Sequence, residues 1–349
     1  MNIRCHSMIG AEHSWSHTVE EILLSLMSSG HDLSVFSSHK YPDGFFSSFY
    51  KKNISPIHID FNYTLPIQWK VRYHPFSKVK ATIFNYESSI LPEKWKSLTS
   101  IPDLIFPSSN YCKNIFLNNG WPEHKIKVLP LGFNQEKFKT KDILIERNER
   151  YRFLCIAINH YRKNIDLLLK SYFNSFSDDD PVELIIKTIT DAPKIKFEYS
   201  VPKMIEKVKS SFNKKLPKLT VIGNRIDNIA TLYNSCDAFV SATSSEGFGL
   251  PFLEAMAAKK IVIAPRATGQ LDFLNDNNSF LIDGKEIIAP DVYQYWVAHK
   301  EAKIFMPDQD SIEEKLKLVF NSKPQTPIYN IEQYTWDNVA KNMISLCGY

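Results

Sequence analysis

Short apolar runs alternate with amphipathic stretches along the chain, and the alternation occurs twice. In the first half, Met1 to His6 reads as a strand that leads through Gly10 into a helix over 19–27. Its apolar residues Val19, Ile22, Leu23 and Leu26 share one face. Ser28, Ser29 and Gly30 end that helix, and 33–36 is the next strand. Strand, glycine loop, helix and strand make one turn of a parallel doubly wound sheet. Further strands are expected at 81–85 and 103–107, and Ser108-Ser109-Asn110 caps a helix that runs to 118. Val128 to Gly132 closes this half.

Polar and charged residues over 135–150 interrupt the pattern and read as a hinge. Beyond them the alternation restarts, with strands expected at 153–158, 183–188, 219–222, 238–242 and 261–264. Helices are expected between them at 164–176, 202–212, 228–235 and 251–259. The expected fold class is therefore α/β, with two doubly wound, Rossmann-like domains facing across a cleft. The expected domains are 1–145 and 146–330, followed by a closing helical segment over 331–349.

Composition adds little to this outline and excludes several classes. A chain of 349 residues with 44% hydrophobic and 23% charged content suits two soluble globular domains. No apolar run approaches the roughly 20 residues that span a bilayer, and no signal-peptide pattern opens the chain, so a cytoplasmic protein is expected. The cysteines Cys5, Cys112, Cys155, Cys236 and Cys347 are scattered and form no CxxC pair, so they read as small buried hydrophobes. The net charge of +4 comes from the first half, since residues 1–150 hold 18 Lys+Arg against 14 Asp+Glu and the remainder 24 against 24. A solvated basic face accounts for that excess. It leaves open a contact of the N-terminal domain with a peripheral membrane surface or with nucleic acid.

Candidate chemistry concentrates in Glu246-Gly247-Phe248-Gly249-Leu250-Pro251-Phe252-Leu253-Glu254, which sets two carboxylates around a glycine turn at the start of a helix. Glycines allow close backbone approach to a ligand, proline suits the first helical position, and the amides at a helix start attract anions. This stretch follows the 238–242 strand, so it lies at a carboxyl end, where open α/β sheets bind ligands. His160-Tyr161-Arg162-Lys163-Asn164 follows the 153–158 strand on the same expected rim, and its adjacent cations suit a diphosphate. Lys187 ends a third strand on that rim.

In the first half the signals are sparser. The loop around Gly10 and His13 lacks the GxGxxG fingerprint, which disfavours a nicotinamide dehydrogenase. Residues 69–80 interleave cations with aromatics, a pattern that grips phosphates and stacks on rings; a surface loop with its aromatics packed inward is the preferred reading. Glu87 follows a strand and is a candidate substrate contact or a local cap. The acidic run Asp178 to Asp180 reads as a solvated turn and not a metal site.

Together these residues resemble the retaining family 4 glycosyltransferases of the GT-B fold. The resemblance runs from the Gly10 loop through Glu87, Leu91-Pro92, Trp95, Pro107-Ser108, Leu129 to Phe133 and Arg162 to Asn164, and peaks at the E-x7-E pattern of Glu246 and Glu254. It implies a metal-independent hexosyltransferase with no cofactor and a nucleotide-sugar donor, a UDP-sugar being favoured. Carried over by position, Glu254 would bind ribose hydroxyls and Glu246 the donor sugar, while Arg162 and Lys163 would meet the pyrophosphate. Gly10, Lys187, Arg225, Gly247, Phe248, Gly249 and Leu250 would complete the donor side, and His13, His74 and Glu87 are acceptor-side candidates. The segment 336–346 resembles the helix that crosses back to the first domain. Two departures stand out: Ala157-Ile158-Asn159 occupies the place of a common arginine, and Asp272 that of a common glutamate.

The implied acceptor is a hydroxyl of a glycan or lipid-linked glycan, with a hydroxymethylated DNA base as another option. A sugar phosphorylase, a nucleotide-sugar epimerase or a catalytically silent nucleotide-sugar binding module are the rival functions.

Overall fold

The structure, a computed structural model, describes residues 1–9, 14–37, 44–189, 200–290 and 299–349. It divides into two units. One comprises Met1–Tyr86, Leu91–Asn134 and Glu332–Tyr349; the other comprises Glu87–Ile90 and Gln135–Ile331.

In the first unit, β1 (Asn2–Ser7), β2 (Asp32–Ser37), β3 (Ile59–Tyr63), β4 (Val79–Ile83) and β5 (Leu104–Phe106) form one sheet in the order β2-β1-β3-β4-β5. All of its pairings are parallel. Strand β3 was not among the expected strands, although Ile59, Phe61 and Tyr63 alternate with Asp60 and Asn62 in the period of a strand. Both of its faces are buried, so Asp60 and Asn62 sit inside the protein despite their polarity. The segment 128–132 forms no strand. An aromatic cluster fills the core beside β4 and β5: Phe84 stacks on Phe116 with centroids 5.6 Å apart, and Trp69, Trp95 and Trp121 close around it. Helix Trp336–Leu346 belongs to this unit and packs on helix Ser14–Ser28.

The second unit is built on β6 (Tyr151–Ile156), β7 (Val182–Lys187), β8 (Lys218–Ile222), β9 (Ala238–Val240), β10 (Ile261–Pro265) and β11 (Phe280–Ile282), in the order β11-β10-β9-β6-β7-β8. All neighbours are parallel. Helices cover such a sheet on both faces, which is why interior strands read as unbroken apolar runs such as Ile261 to Ala264 in β10. An antiparallel pair, β12 (Gly284–Ile288) and β13 (Lys303–Pro307), and helix Gln309–Ser322 follow the sheet; with β11 they fall between the expected 261–264 strand and the expected closing helix, where no element was expected. The chain builds outward from β6 to β8 and then returns to β9 on the other side, so strand order reverses between β6 and β9. Open α/β sheets bind ligands outside the carboxyl ends of the strands at such a reversal. Among the described residues, no helix is long and apolar enough to cross a membrane.

The division between the units falls at Asn134 and Gln135, earlier in the chain than the 145/146 boundary expected. Residues 140–147, inside the stretch read as a hinge, are tied to the second unit. Arg152, buried at the start of β6, donates from Nε to Glu183 (3.0 Å), from Nη1 to the carbonyls of Ile145 and Ser235, and from Nη2 to the carbonyl of Glu146 (2.7 Å). The backbone amides of Leu144 and Ile145 both donate to Ser235 Oγ. Replacing one member of a buried ion pair leaves the other charged and unsolvated, so Arg152→Met is expected to cost about 3–5 kcal/mol. A urea unfolding series on the full chain measures that loss, and an unshifted midpoint would show that Arg152 does not hold this segment.

Candidate active site

At the carboxyl end of β6 the chain makes a tight 3-10 turn over Tyr161–Lys163 before helix Ile165–Ser175 begins. Buried His160 precedes the turn, and its Nδ1 accepts from the Arg162 amide at 3.1 Å. The turn ends at Asn164 with φ 48° and ψ 41°, a left-handed conformation that asparagine tolerates better than most residues. Asn164 Nδ2 donates to Ala242 O (2.9 Å) and Ser244 Oγ (2.7 Å), and the Ser244 amide donates to Arg162 O (2.7 Å). These bonds lock the turn after β6 to the loop after β9, across the reversal in strand order.

The lock brings Arg162, Lys163 and Glu246 together. Lys163 Nζ donates to Glu246 Oε1, Arg162 Nη1 lies 3.4 Å from Glu246 Oε2, and the same Nη1 donates to Ser245 O at 2.7 Å. Glu87 joins them, with its carboxylate 3.6 Å from Arg162 Nη2 and its carbonyl accepting from Ser245 Oγ at 2.7 Å. Burial alone would raise the Glu246 carboxyl, but the charges of Lys163 and then Arg162 outweigh it and hold Glu246 below the usual carboxylate range. Burial pushes the Lys163 ammonium down, and the Arg162 charge acts the same way, with Glu246 opposing both. The direction that governs the pair is that of Glu246: Lys163 and Arg162 favour the ionised carboxylate, which accepts the hydrogen bond from Lys163 and opposes the downward push of burial on the ammonium.

The backbone of Glu246 is clamped from the other side. Its amide donates to Thr268 Oγ1 (3.1 Å) and its carbonyl accepts from the Gly269 amide (2.9 Å). Thr268 adopts φ 68° and ψ −159°, a region that β-branched residues avoid and that the surrounding bonds must impose. A Cβ at position 269 would sit 2.3 Å from Gly247 O, so only glycine allows the two loops this close. Gly249, at φ 97°, then turns the chain into helix Leu250–Ala257 with Pro251 in its first turn. The Phe248 ring is buried against Phe273, so this residue presents backbone rather than side chain to the rim. One turn into the helix, half-buried Glu254 accepts from the Tyr233 hydroxyl at 3.0 Å; that hydroxyl also contacts Pro251 O at 2.9 Å.

The candidates expected from sequence separate accordingly. Arg162, Lys163 and Glu246 cluster, with Gly247 to Leu250 and Glu254 continuing the same loop and helix. Lys187 ends β7 and Arg225 follows β8 on the same carboxyl edge of the sheet. Glu87, read as an acceptor-side residue of the first half, belongs to the second unit and stands beside Arg162. His74 lies in the first unit, where its amide donates to Asp60 at 2.6 Å. Gly10 and His13 lie outside the described residues. Sequence reasoning missed Tyr233, Ser245, Thr268 and the capping role of His160. The hydroxyls of Tyr233, Ser245 and Thr268 carry no spacing signal because their partners are remote in sequence, whereas His160 caps a turn only two residues on and histidine is not one of the usual capping residues.

Residues 136–290 match the family model of glycosyl transferases group 1. The chain is 28% identical over 330 residues to a probable sucrose-phosphate synthase of Thermosipho melanesiensis, covering 89% of this chain and 69% of that protein. A glycosyltransferase from Rickettsia africae superposes with a TM-score of 0.70 at 16% identity, over 99% of this chain and 97% of that one. Anabaena HepE, solved in complex with UDP-glucose, gives 0.65 at 11% identity over 99% of each chain. At those identities the solved structures establish the fold, two Rossmann-like α/β domains shared with GT-B glycosyltransferases. The family match and the curated relative support a hexosyltransferase.

His160 generates a pH prediction. Burial, reinforced by Arg162 and Lys163, lowers its imidazole from the ordinary 6.5 to about 3. The unfolded chain therefore takes up this proton first as pH falls. The associated stability is complete above pH 6.5 and is lost progressively as pH drops toward 3. Asn at this position keeps an acceptor for the Arg162 amide without titrating, so His160→Asn is expected to flatten the decline of the thermal midpoint between those pH values. An unchanged slope in the variant would reject the assignment.

Proposed function

We propose that the chain transfers a sugar from a nucleotide-sugar donor to a hydroxyl acceptor, with retention at the anomeric carbon and without a metal ion, as the family 4 resemblance implies. The observation that carries this reading is the cluster of Arg162, Lys163 and Glu246 at the strand-order reversal, beside a glycine-led helix start. The HepE relative crystallised with UDP-glucose supports a UDP-sugar as the donor.

The roles follow from chemistry. Two cations and the amides at the start of helix Leu250–Ala257 suit a diphosphate, whose charge grows as the bond from anomeric carbon to phosphate oxygen breaks. A carboxylate has about four lone-pair sites, so Glu246 can keep its contact with Lys163 and still accept hydroxyls of the donor sugar. Glu254, oriented by Tyr233, accepts the two ribose hydroxyls. Lys187 and Arg225 complete the donor side, with backbone groups of Gly247, Phe248, Gly249 and Leu250 approaching sugar and diphosphate. In a front-face displacement the departing phosphate oxygen takes the acceptor proton as the acceptor oxygen bonds to the same face of the anomeric carbon. Glu87 holds Arg162 toward the rim in this scheme. The acceptor is a hydroxyl of a glycan or a lipid-linked glycan. The relative described as a sucrose-phosphate synthase makes phosphorylated sugars the first soluble acceptors to screen.

Calorimetry with UDP-, GDP- and ADP-sugars in the presence of EDTA is expected to show binding of one donor, and loss of binding on chelation would reject the metal-free mechanism. Glu254→Ala is expected to weaken nucleotide binding, whereas Glu246→Gln is expected to lower kcat by about 10²–10³ with little change in donor affinity. Wild-type turnover in both variants would overturn the assignment of the site.

A further inference from the structure

Between Phe61 and Tyr86 the chain carries the cations Lys70, Arg72, Lys78 and Lys80 and no carboxylate. The same stretch holds a concentration of exposed apolar side chains. Leu65 is 36% exposed, Ile67 58%, Val71 76% and Phe76 84%. Four large hydrophobics facing water within twelve residues are costly, and soluble proteins keep such patches for a partner.

Local structure explains why they cannot fold inward. A 3-10 turn over Pro66–Gln68 runs directly into helix Trp69–Arg72. Ile67 and Val71 are four residues apart on this helical turn and share its outer side, with Lys70 beside them. Trp69 points the other way, fully buried, with its ring 6.0 Å from those of Phe84 and Trp121. The loop that follows is tethered at several points. Arg72 O accepts from Arg4 Nη1 (2.7 Å), buried Asp60 accepts from the His74 amide (2.6 Å) and Ser77 Oγ (3.1 Å), and Tyr73 donates to Ala81 O (2.8 Å). Anchored on both sides, the segment holds Ile67, Val71 and Phe76 outward, with exposed Lys70 and Lys78 among them.

These contacts also separate the two polyanions that a basic, aromatic stretch could meet. Single-stranded nucleic acid is gripped by stacking bases on exposed rings. Here Trp69 is buried in the core and the Tyr73 hydroxyl is bound to backbone, which leaves Phe76 as the one large exposed ring of the segment. Aliphatic tips with interspersed lysines match the boundary between lipid headgroups and acyl chains, where apolar insertion and attraction to anionic lipid add.

We infer that residues 65–78 dock the first unit on an anionic lipid surface, with Ile67, Val71 and Phe76 entering the acyl boundary and Lys70 and Lys78 pairing with headgroup phosphates. The inference stands on the first unit alone and does not depend on the transferase reading.

Flotation of the full chain with phosphatidylglycerol–phosphatidylcholine vesicles tests it. The wild type is expected to float with these vesicles at low salt and to be released by added salt, and to bind pure phosphatidylcholine less. The triple variant Ile67→Ser, Val71→Ser, Phe76→Ser is expected to bind anionic vesicles about tenfold less or weaker still. Lys70→Glu with Lys78→Glu is expected to reduce binding as well. All of these substitutions are at exposed positions, so each variant should keep the wild-type thermal midpoint. Absence of flotation on anionic vesicles, equal binding to neutral ones, or undiminished binding by the triple variant would each overturn the proposal. Binding of a single-stranded oligonucleotide that the lysine pair abolishes and the triple variant retains would overturn it in favour of nucleic acid.

Discussion

The ammonium of Lys163 and the carboxylate of Glu246 are both withdrawn from water, and the local structure of the second unit is arranged around satisfying them. Burying two charges is tolerable only with close pairing and further hydrogen bonds on the remaining lone pairs. That requirement fixes the chain on either side. The turn after β6 must place Arg162 and Lys163 together, so it ends in left-handed Asn164, whose side chain reaches the loop after β9. The Glu246 backbone must be held still, so Thr268 accepts a strained conformation and Gly269 admits a contact no side chain could allow. Strain at these points marks a geometry that the fold maintains at a cost.

Opposite edges of the same sheet carry two arginines in different surroundings. At the amino ends of the strands, Arg152 directs its donors to Glu183 and to the carbonyls of Ile145, Glu146 and Ser235, all of them protein groups that no ligand displaces. At the carboxyl ends, Arg162 holds one carbonyl, that of Ser245 at 2.7 Å, and stands between two carboxylates at the longer distances of 3.4 and 3.6 Å. A helix start and a glycine turn stand alongside. Similar side chains are tied chiefly to backbone carbonyls in one place and set between two carboxylates in the other, because their neighbours differ.

The first unit places polarity differently. Arg4 and Asp60 pair at 2.7 Å beneath the sheet surface, while apolar Ile67, Val71 and Phe76 face water. The two facts are linked, since the buried pair anchors the loop from which the apolar groups project. A stretch that reads as a mixture of cations and aromatics is sorted by the fold into an inward anchor, Trp69, and an outward apolar and basic face.

The amino-acid sequence by itself determined the two-fold repetition of α/β units, most strands of the second sheet, and the segments that carry Arg162, Lys163, Glu246 and Glu254. Those features are local: buried parallel strands are apolar runs, and a glycine-proline helix start between two glutamates is visible in nine residues. Strand β3 shows the limit, because the alternation of Ile59, Phe61 and Tyr63 with Asp60 and Asn62 is that of a half-solvated strand, and only the fold shows its polar face to be buried as well. Tertiary structure alone decided that Glu87 and Ile90 belong with the second unit, that Ser245 meets Glu87 across 158 residues, and that Tyr233 orients Glu254. It also decided which rings of the 69–80 stretch turn inward. A hydrogen bond between remote residues leaves no period in the chain, and whether a side chain faces core or water depends on what the rest of the fold brings against it.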